Sequence, residues 1–244
     1  MIPLHVHSNN TLLNGTISVE RLVQRAVDYG LTSMALTDKN SMHGVIQFSK
    51  IAIDKKIRPI IGCQIDSPEN PSEYVILLAR NNKGYSELCK IITSRKLNDD
   101  FSLINLLENK LENFFILTPS IELVKDLEKR DNLYVELIAA KNEKKNNRNK
   151  YQFAQEKGLQ FVVTNPIYFL DEKDFLLHKT LTAIRLKTTI DNLQPEDLAD
   201  DEFYFKDPII IDHQWKNLPQ ALENSNEIAR RCKVDLKFGK YKFP

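Results

Sequence analysis

Glycine is scarce in this chain: there are seven in 244 residues, and none falls in a G-x-x-x-x-G-K-[ST], G-x-G-x-x-G or G-x-S-x-G spacing. That removes the backbone cradles on which P-loop phosphates, dinucleotides and hydrolase nucleophile elbows depend. Cysteine is scarcer still. Cys63, Cys89 and Cys232 stand far apart with no C-x-x-C pair, which suits reduced thiols in a cytoplasmic protein better than a disulfide framework. No apolar run approaches the roughly 18 residues that cross a bilayer. The opening Met1-Ile2-Pro3-Leu4-His5 has neither the basic start nor the apolar centre of a signal peptide. A cytoplasmic protein without a membrane partner is expected. An excess of one charge is missing too, because 34 Lys+Arg against 33 Asp+Glu leave a net charge of +1. No cluster of carboxylates suggests two-metal polymerase chemistry within these residues.

What is present is a good supply of apolar residues, 42% of the chain. A chain of this length can bury roughly 70–75% of its unfolded surface, so neither disulfide nor metal is required for folding. Val19, Leu22, Val23, Ala26 and Val27 recur at helical spacing, with Ser18 placed to cap the start and Gly30 to end it. Ser33–Thr37 then reads as a buried strand, followed by a helix carrying Val45, Phe48, Ala52 and Ile53. Further strands are predicted at 59–65, 74–79, 114–117, 134–138 and 161–164. Helices fall between them, one carrying Tyr85, Leu88, Cys89, Ile91 and Ile92 and another crossing the polar run 143–157. The stretch 66–72 reads as a loop. Strands separated by helix-length segments predict a parallel α/β sheet, and six or more such units favour a closed barrel. Residues 1–186 form the expected barrel core. Residues 187–244 form a loop-rich extension with one helix over about 218–232.

The charge is unevenly spread. Lys141, Lys144, Lys145, Arg148 and Lys150 make one basic run; Arg230, Arg231, Lys233, Lys237, Lys240 and Lys242 make another. Such runs read first as solvated faces, with a DNA-facing strip through Lys144, Lys145 and Arg148 as the alternative.

His5-Val6-His7 is the sharpest chemical signal. In extended chain, residues i and i+2 project to one face, so two imidazoles could share a metal ion. Zinc asks for about four ligands, and magnesium or manganese for about six. Asp38, at the end of the second strand, is either a further ligand or a capping residue. Lys39 beside it would repel a dication, replace one as a fixed cation, or point to solvent. His43, His178 and His213 are isolated and read as helix-surface or capping residues.

These blocks together resemble a known family. His5-Val6-His7-Ser8 with Leu12-Leu13-Asn14-Gly15, and Ala35-Leu36-Thr37-Asp38-Lys39-Asn40, are similar to the opening motifs of PHP domains (polymerase and histidinol phosphatase type) in bacterial DNA polymerase III alpha subunits. Ile57-Arg58-Pro59-Ile60-Ile61-Gly62-Cys63, Leu77-Leu78-Ala79-Arg80-Asn81, Val163-Thr164-Asn165 and Leu218–Cys232 continue the likeness over nearly the whole chain. The resemblance implies a distorted (βα)7 TIM-like barrel with a C-terminal helical and loop extension leading toward a polymerase palm. In metal-bearing members it implies a zinc-type cluster supporting exonuclease or phosphoesterase activity. Only His5 and His7 match those ligand positions. Asn14 stands where the family has an acid, Lys39 and Tyr74 where it has histidines, and Gln64 where it has a glutamate. Ser120 replaces a cysteine, and Pro166 and Tyr168 replace an aspartate and a histidine. Each change removes a good ligand or adds positive charge.

The expected function is therefore a scaffold domain of a DNA replication polymerase, with a degenerate metal site that holds no cofactor tightly and could hold one zinc weakly. Its partners would be the other polymerase domains of the same chain, a proofreading subunit, and DNA through the parent, whose nucleotidyltransferase chemistry uses magnesium at aspartates beyond Pro244. A residual His-x-His phosphoesterase or 3′–5′ exonuclease, and a basic nucleic-acid-binding module, are the alternatives.

Overall fold

A computed structural model of the chain describes residues 1–239; Lys240 and Lys242 of the second basic run lie outside the described residues. The elements follow in order as α1 (Val19–Asp28), β1 (Ser33–Leu36), α2 (Val45–Asp54), β2 (Arg58–Asp66), β3 (Tyr74–Ala79), α3 (Asn82–Leu97), α4 (Leu103–Glu108), β4 (Phe114–Thr118), β5 (Leu133–Ile138), α5 (Lys144–Lys157), β6 (Gln160–Thr164), α6 (Phe175–Leu186), α7 (Pro208–Gln214) and α8 (Pro219–Arg231). Local chemistry sets several of these boundaries. Ser18 accepts a hydrogen bond from Arg21 N–H at the start of α1, and Asn81 accepts from Gly84 N–H at the start of α3. Gly158, in the left-handed conformation, closes α5.

The six strands form one α/β sheet in sequence order, β1 to β6. The alternation predicts parallel pairing throughout; the structure corrects this at β3, which runs antiparallel to both β2 and β4. The reason is the link from β2 to β3, residues 67–73. It is a loop without a helix, and a parallel crossover needs a dozen residues or more. The remaining pairings, β1 with β2, β4 with β5 and β5 with β6, are parallel.

Six strands stand where about seven are expected. The N-terminal segment Pro3–His7 is not a regular strand, yet it lies between β1 and the segment that follows β6. Ala35 N–H donates to Pro3 O at 2.9 Å and Thr37 N–H to Val6 O at 2.8 Å. On its other side His7 N–H donates to Ile167 O at 2.8 Å and Ile167 N–H to His5 O at 3.0 Å.

The sheet is buried on both faces, which is why its strands read as apolar runs instead of alternating patterns. The outer face (Cys63, Ile65, Val75, Leu77, Phe114, Ile116, Val135 and Val163 among others) packs under the helices. The inner face of the curl carries Ala35, Ile60, Ile76, Leu78, Phe115, Leu117, Tyr134 and Val162. Helix α8 adds Ile228 and Ala229 to this inner cluster. Asn224 Nδ2 donates to Phe161 O at 2.8 Å, which sets α8 at the starts of the parallel strands. The opposite end of the curl, where β2, β5 and β6 finish, holds the polar residues.

Candidate functional site

Period two along each strand places one set of side chains inside the curl. Below, toward α8, these are apolar; at the strand ends the same faces present Gln64 from β2, Glu136 from β5 and Thr164 from β6. Because β3 is reversed, its first residue, Tyr74, reaches the same end. The extended N-terminal segment adds His5 and His7 on one side, with Val6 facing the helices.

The result is a packed polar cluster with both histidines buried. His5 Nδ1 faces Glu136 Oε1 at 2.9 Å, and its Nε2 lies 3.0 Å from Gln64 Oε1. Glu136 also accepts from Thr164 Oγ1 at 2.6 Å and from Tyr74 Oη at 3.0 Å. Burial alone would raise its pKa. Neighbouring His5 and these three hydrogen bonds outweigh burial and hold the carboxyl below the ordinary glutamate value.

His7 is fixed from the other side. Thr11 Oγ1 gives its hydrogen to Asp38 Oδ1 at 2.8 Å, so it accepts from His7 Nδ1 at 3.0 Å. That leaves the His7 Nε2 lone pair facing His5 Nε2, 3.0 Å away. Two ring nitrogens at this distance call for one hydrogen or one cation between them. Burial, then His5 and Lys39, push the His7 pKa well below the ordinary histidine value. The Tyr168 ring stacks on His7 with centroids 4.1 Å apart.

Asp38 is buried but does not point at the histidine nitrogens. Its two oxygens accept from Ser8 N–H at 2.6 Å, Ser8 Oγ at 2.7 Å and Thr11 Oγ1 at 2.8 Å, so it braces the His7 loop. Burial raises its pKa against the opposing pull of those hydrogen bonds. Lys39 is held by Asp66, Nζ to Oδ2 2.9 Å, and Asp66 also takes Arg95 at 2.7 Å. Asn14 and Lys39 line a shallow cavity of about 250 Å³ together with Lys96 and Arg185. Ser120 serves a turn, accepting from Leu123 N–H. Lys144, Lys145 and Arg148 are exposed on α5 and take no part in this network. Among the described residues, no group of three or more His, Cys, Asp or Glu side chains is arranged to hold a metal ion.

His178 departs from the surface or capping role expected of it. It is fully buried, accepts from Ala199 N–H at Nε2, and therefore donates from Nδ1 to Asn14 O at 2.9 Å. Glu136 is the residue that the motifs do not reveal. Its only signal is a single acid inside the apolar run Tyr134-Val135-Glu136-Leu137-Ile138, on the same face as Tyr134.

Known proteins are similar to this chain along its length. The DNA polymerase III subunit alpha of Chlamydia trachomatis is 25% identical to the chain over 310 aligned positions, covering 100% of this chain and 25% of that one. The corresponding subunit of Pseudomonas fluorescens is 24% identical, covering 100% and 23%. An error-prone DNA polymerase of Symbiobacterium thermophilum is 26% identical, covering 95% and 25%. The chain thus spans about a quarter of the length of these relatives. Among solved structures, one described as a metal-dependent phosphoesterase from Bifidobacterium adolescentis aligns with a TM-score of 0.48 at 12% identity, covering 67% of this chain and 86% of that one. The family model for the PHP domain matches residues 3–126, just over half of the chain and inclusive of the buried histidine pair: the chain belongs to the PHP domain family.

Proposed function

We propose that this chain is a structural and docking domain of a DNA polymerase III alpha-type polypeptide, in which the metal centre of the family has become a packed polar core. The observation that carries this reading is the engagement of the polar groups at the strand ends with one another. Glu136 serves His5, Thr164 and Tyr74; Asp38 serves Ser8 and Thr11; Asp66 serves Lys39 and Arg95. Two imidazoles and one amide oxygen remain as donors, short of the roughly four ligands of a zinc site and lacking the carboxylates that bridge paired ions. The residues present do not fit a multinuclear cluster. Instead, the Glu136 carboxylate is engaged by His5, Thr164 and Tyr74 within the packed core. We count Pro3–His7 as the seventh member of a distorted (βα)7 barrel, supported by its hydrogen bonds to β1 and to Ile167.

In the whole polypeptide, magnesium-dependent nucleotidyl transfer would belong to the polymerase domains that the relatives' names imply. This domain would pack against those domains and offer a surface to a proofreading subunit.

One observation favours a second reading. The two facing Nε2 atoms, 3.0 Å apart, could both reach one zinc ion at about 2.0–2.1 Å, leaving a weak mononuclear site with residual phosphoesterase or 3′–5′ exonuclease activity. Plasma mass spectrometry on chelator-free protein, beside His5→Ala/His7→Ala, separates the two. The scaffold reading expects metal near zero in both proteins and no hydrolysis of p-nitrophenyl phosphate or single-stranded DNA. Stoichiometric zinc lost in the variant, with hydrolysis lost alongside it, would replace it by the second.

A further inference from the structure

We propose that the cleft between α5 and the α7–α8 corner binds a nucleotide, its base against Trp215 and Tyr151 and its phosphate on Lys144 and Arg148. The cleft has a volume of about 860 Å³, within the roughly 300–1,000 Å³ of small-molecule sites. Its apolar part is made by Leu137, Ala139, Tyr151, Trp215 and Leu218. Tyr151 is held edge-on by Phe161, with centroids 5.2 Å apart. Asn147 fixes the wall between them: it accepts from Ile138 N–H at 2.9 Å and donates to Ile138 O at 2.7 Å.

The charge on the rim is selective. Glu202, the one acid in the lining, is matched by Lys141 at 2.8 Å and Lys206 at 3.6 Å. Lys144 and Arg148, one helical turn apart and exposed, have no ion-pair partner among the described residues. They therefore offer uncompensated positive charge beside an aromatic wall, and a guanidinium suits phosphate oxygens in particular. Gln214 and Asn217 flank Trp215 with amides able to meet a base edge. Flat apolar surface, amides and paired cations are the parts of a nucleotide site. An acidic peptide would use only the cations. Lys145, also expected at such a surface, does not line the cleft. This inference is independent of the state of the histidine pair.

The nucleotide could be free or one unit of a single strand. Trp215 is the one tryptophan of the chain, so intrinsic fluorescence reports on the cleft directly. The 244-residue chain is titrated with dAMP and, separately, with an oligo-dT strand. Saturable quenching by at least one is expected, weakened about tenfold or more in Lys144→Glu/Arg148→Glu. For the strand, log affinity falls with log salt at a slope of about −1.4, two phosphates at roughly 0.7 each. Quenching by dAMP alone identifies a free nucleotide as the source; quenching by the strand identifies a segment of single-stranded DNA. No quenching by either at about 10 mM nucleotide units, or quenching unchanged by the charge reversals, overturns the proposal.

Discussion

Glu136 Oε1 lies 2.9 Å from His5 Nδ1, across 131 residues of sequence, and joins the N-terminal segment to β5. Removing the carboxylate strips His5, Thr164 and Tyr74 of a shared buried partner. Breaking a buried pair from one side costs about 3–5 kcal/mol, whereas replacing both partners by apolar groups costs far less. Glu136→Leu should therefore lower the unfolding free energy in urea by that amount. His5→Leu/Glu136→Leu should lose less than the sum of the two single changes. Strict additivity would show that the two residues are not coupled.

Acid should destabilise the fold in two stages. Burial depresses the pKa of His7 and of His178 below the ordinary histidine value. The unfolded chain then binds more protons than the folded one, so stability falls as pH drops below about 6.5. Glu136, also depressed, adds a second loss as pH falls below the ordinary glutamate value of about 4.3. Asp38 opposes this, because its raised pKa favours the fold at low pH and that contribution is lost as pH rises through its folded value. Urea midpoints measured from about pH 7.5 to 5 should decline. His178→Gln, although less stable at neutrality, should decline less steeply. An equal slope in that variant would mean that His178 does not titrate differently in the two states.

Much of this was legible in the sequence because both faces of the sheet are buried. Runs such as Tyr74–Ala79 and Phe114–Thr118 stand out as short apolar blocks, and the His5-Val6-His7 spacing places two imidazoles on one face. What composition and spacing do not carry is direction and depth. The reversal of β3 rests on the length of the 67–73 link. The burial of His178 depends on Ala199 and Asn14 meeting it from distant parts of the chain. Asp38 is identified at the strand end, but its role as a brace depends on Ser8 and Thr11 capturing both oxygens. Lys39 is turned aside by Asp66, a residue without any motif to mark it.

Gln64 offers a direct test of whether the His5–His7 contact can accept a metal ion. Its Oε1 sits 3.0 Å from His5 Nε2, where a carboxylate would complete a third anionic or imidazole donor. Gln64→Glu should raise zinc affinity by about tenfold or more, since charged oxygen donors outbid amides for a dication. Calorimetric titration of both proteins with zinc measures it. No change in affinity would mean that the two Nε2 atoms do not converge on a position open to a metal.

Helix α8 should hold the far end of the curl shut. Ile228 is fully buried among Leu4, Ile60, Leu78, Phe115, Tyr134 and Val162, and Ile2 N–H donates to Ser225 Oγ on the same helix. Ile228→Ala removes three buried carbons at a site where α8 and the strands meet, at a cost of about 2–5 kcal/mol. Arg230→Ala, on the exposed side of the same helix, should stay within about 0.5 kcal/mol. Cys232 supplies a second readout. It is buried, and its thiol is pushed up to about 12 by that burial, whereas Cys89 is exposed. Cys89 should label quickly with a maleimide and Cys232 slowly, because the thiolate is the nucleophile. Ile228→Ala should speed labelling of Cys232 while leaving Cys89 unchanged. If Cys232 labels as fast as Cys89 in the parent chain, α8 is not a fixed plug, and the inner cluster beneath it is open to solvent.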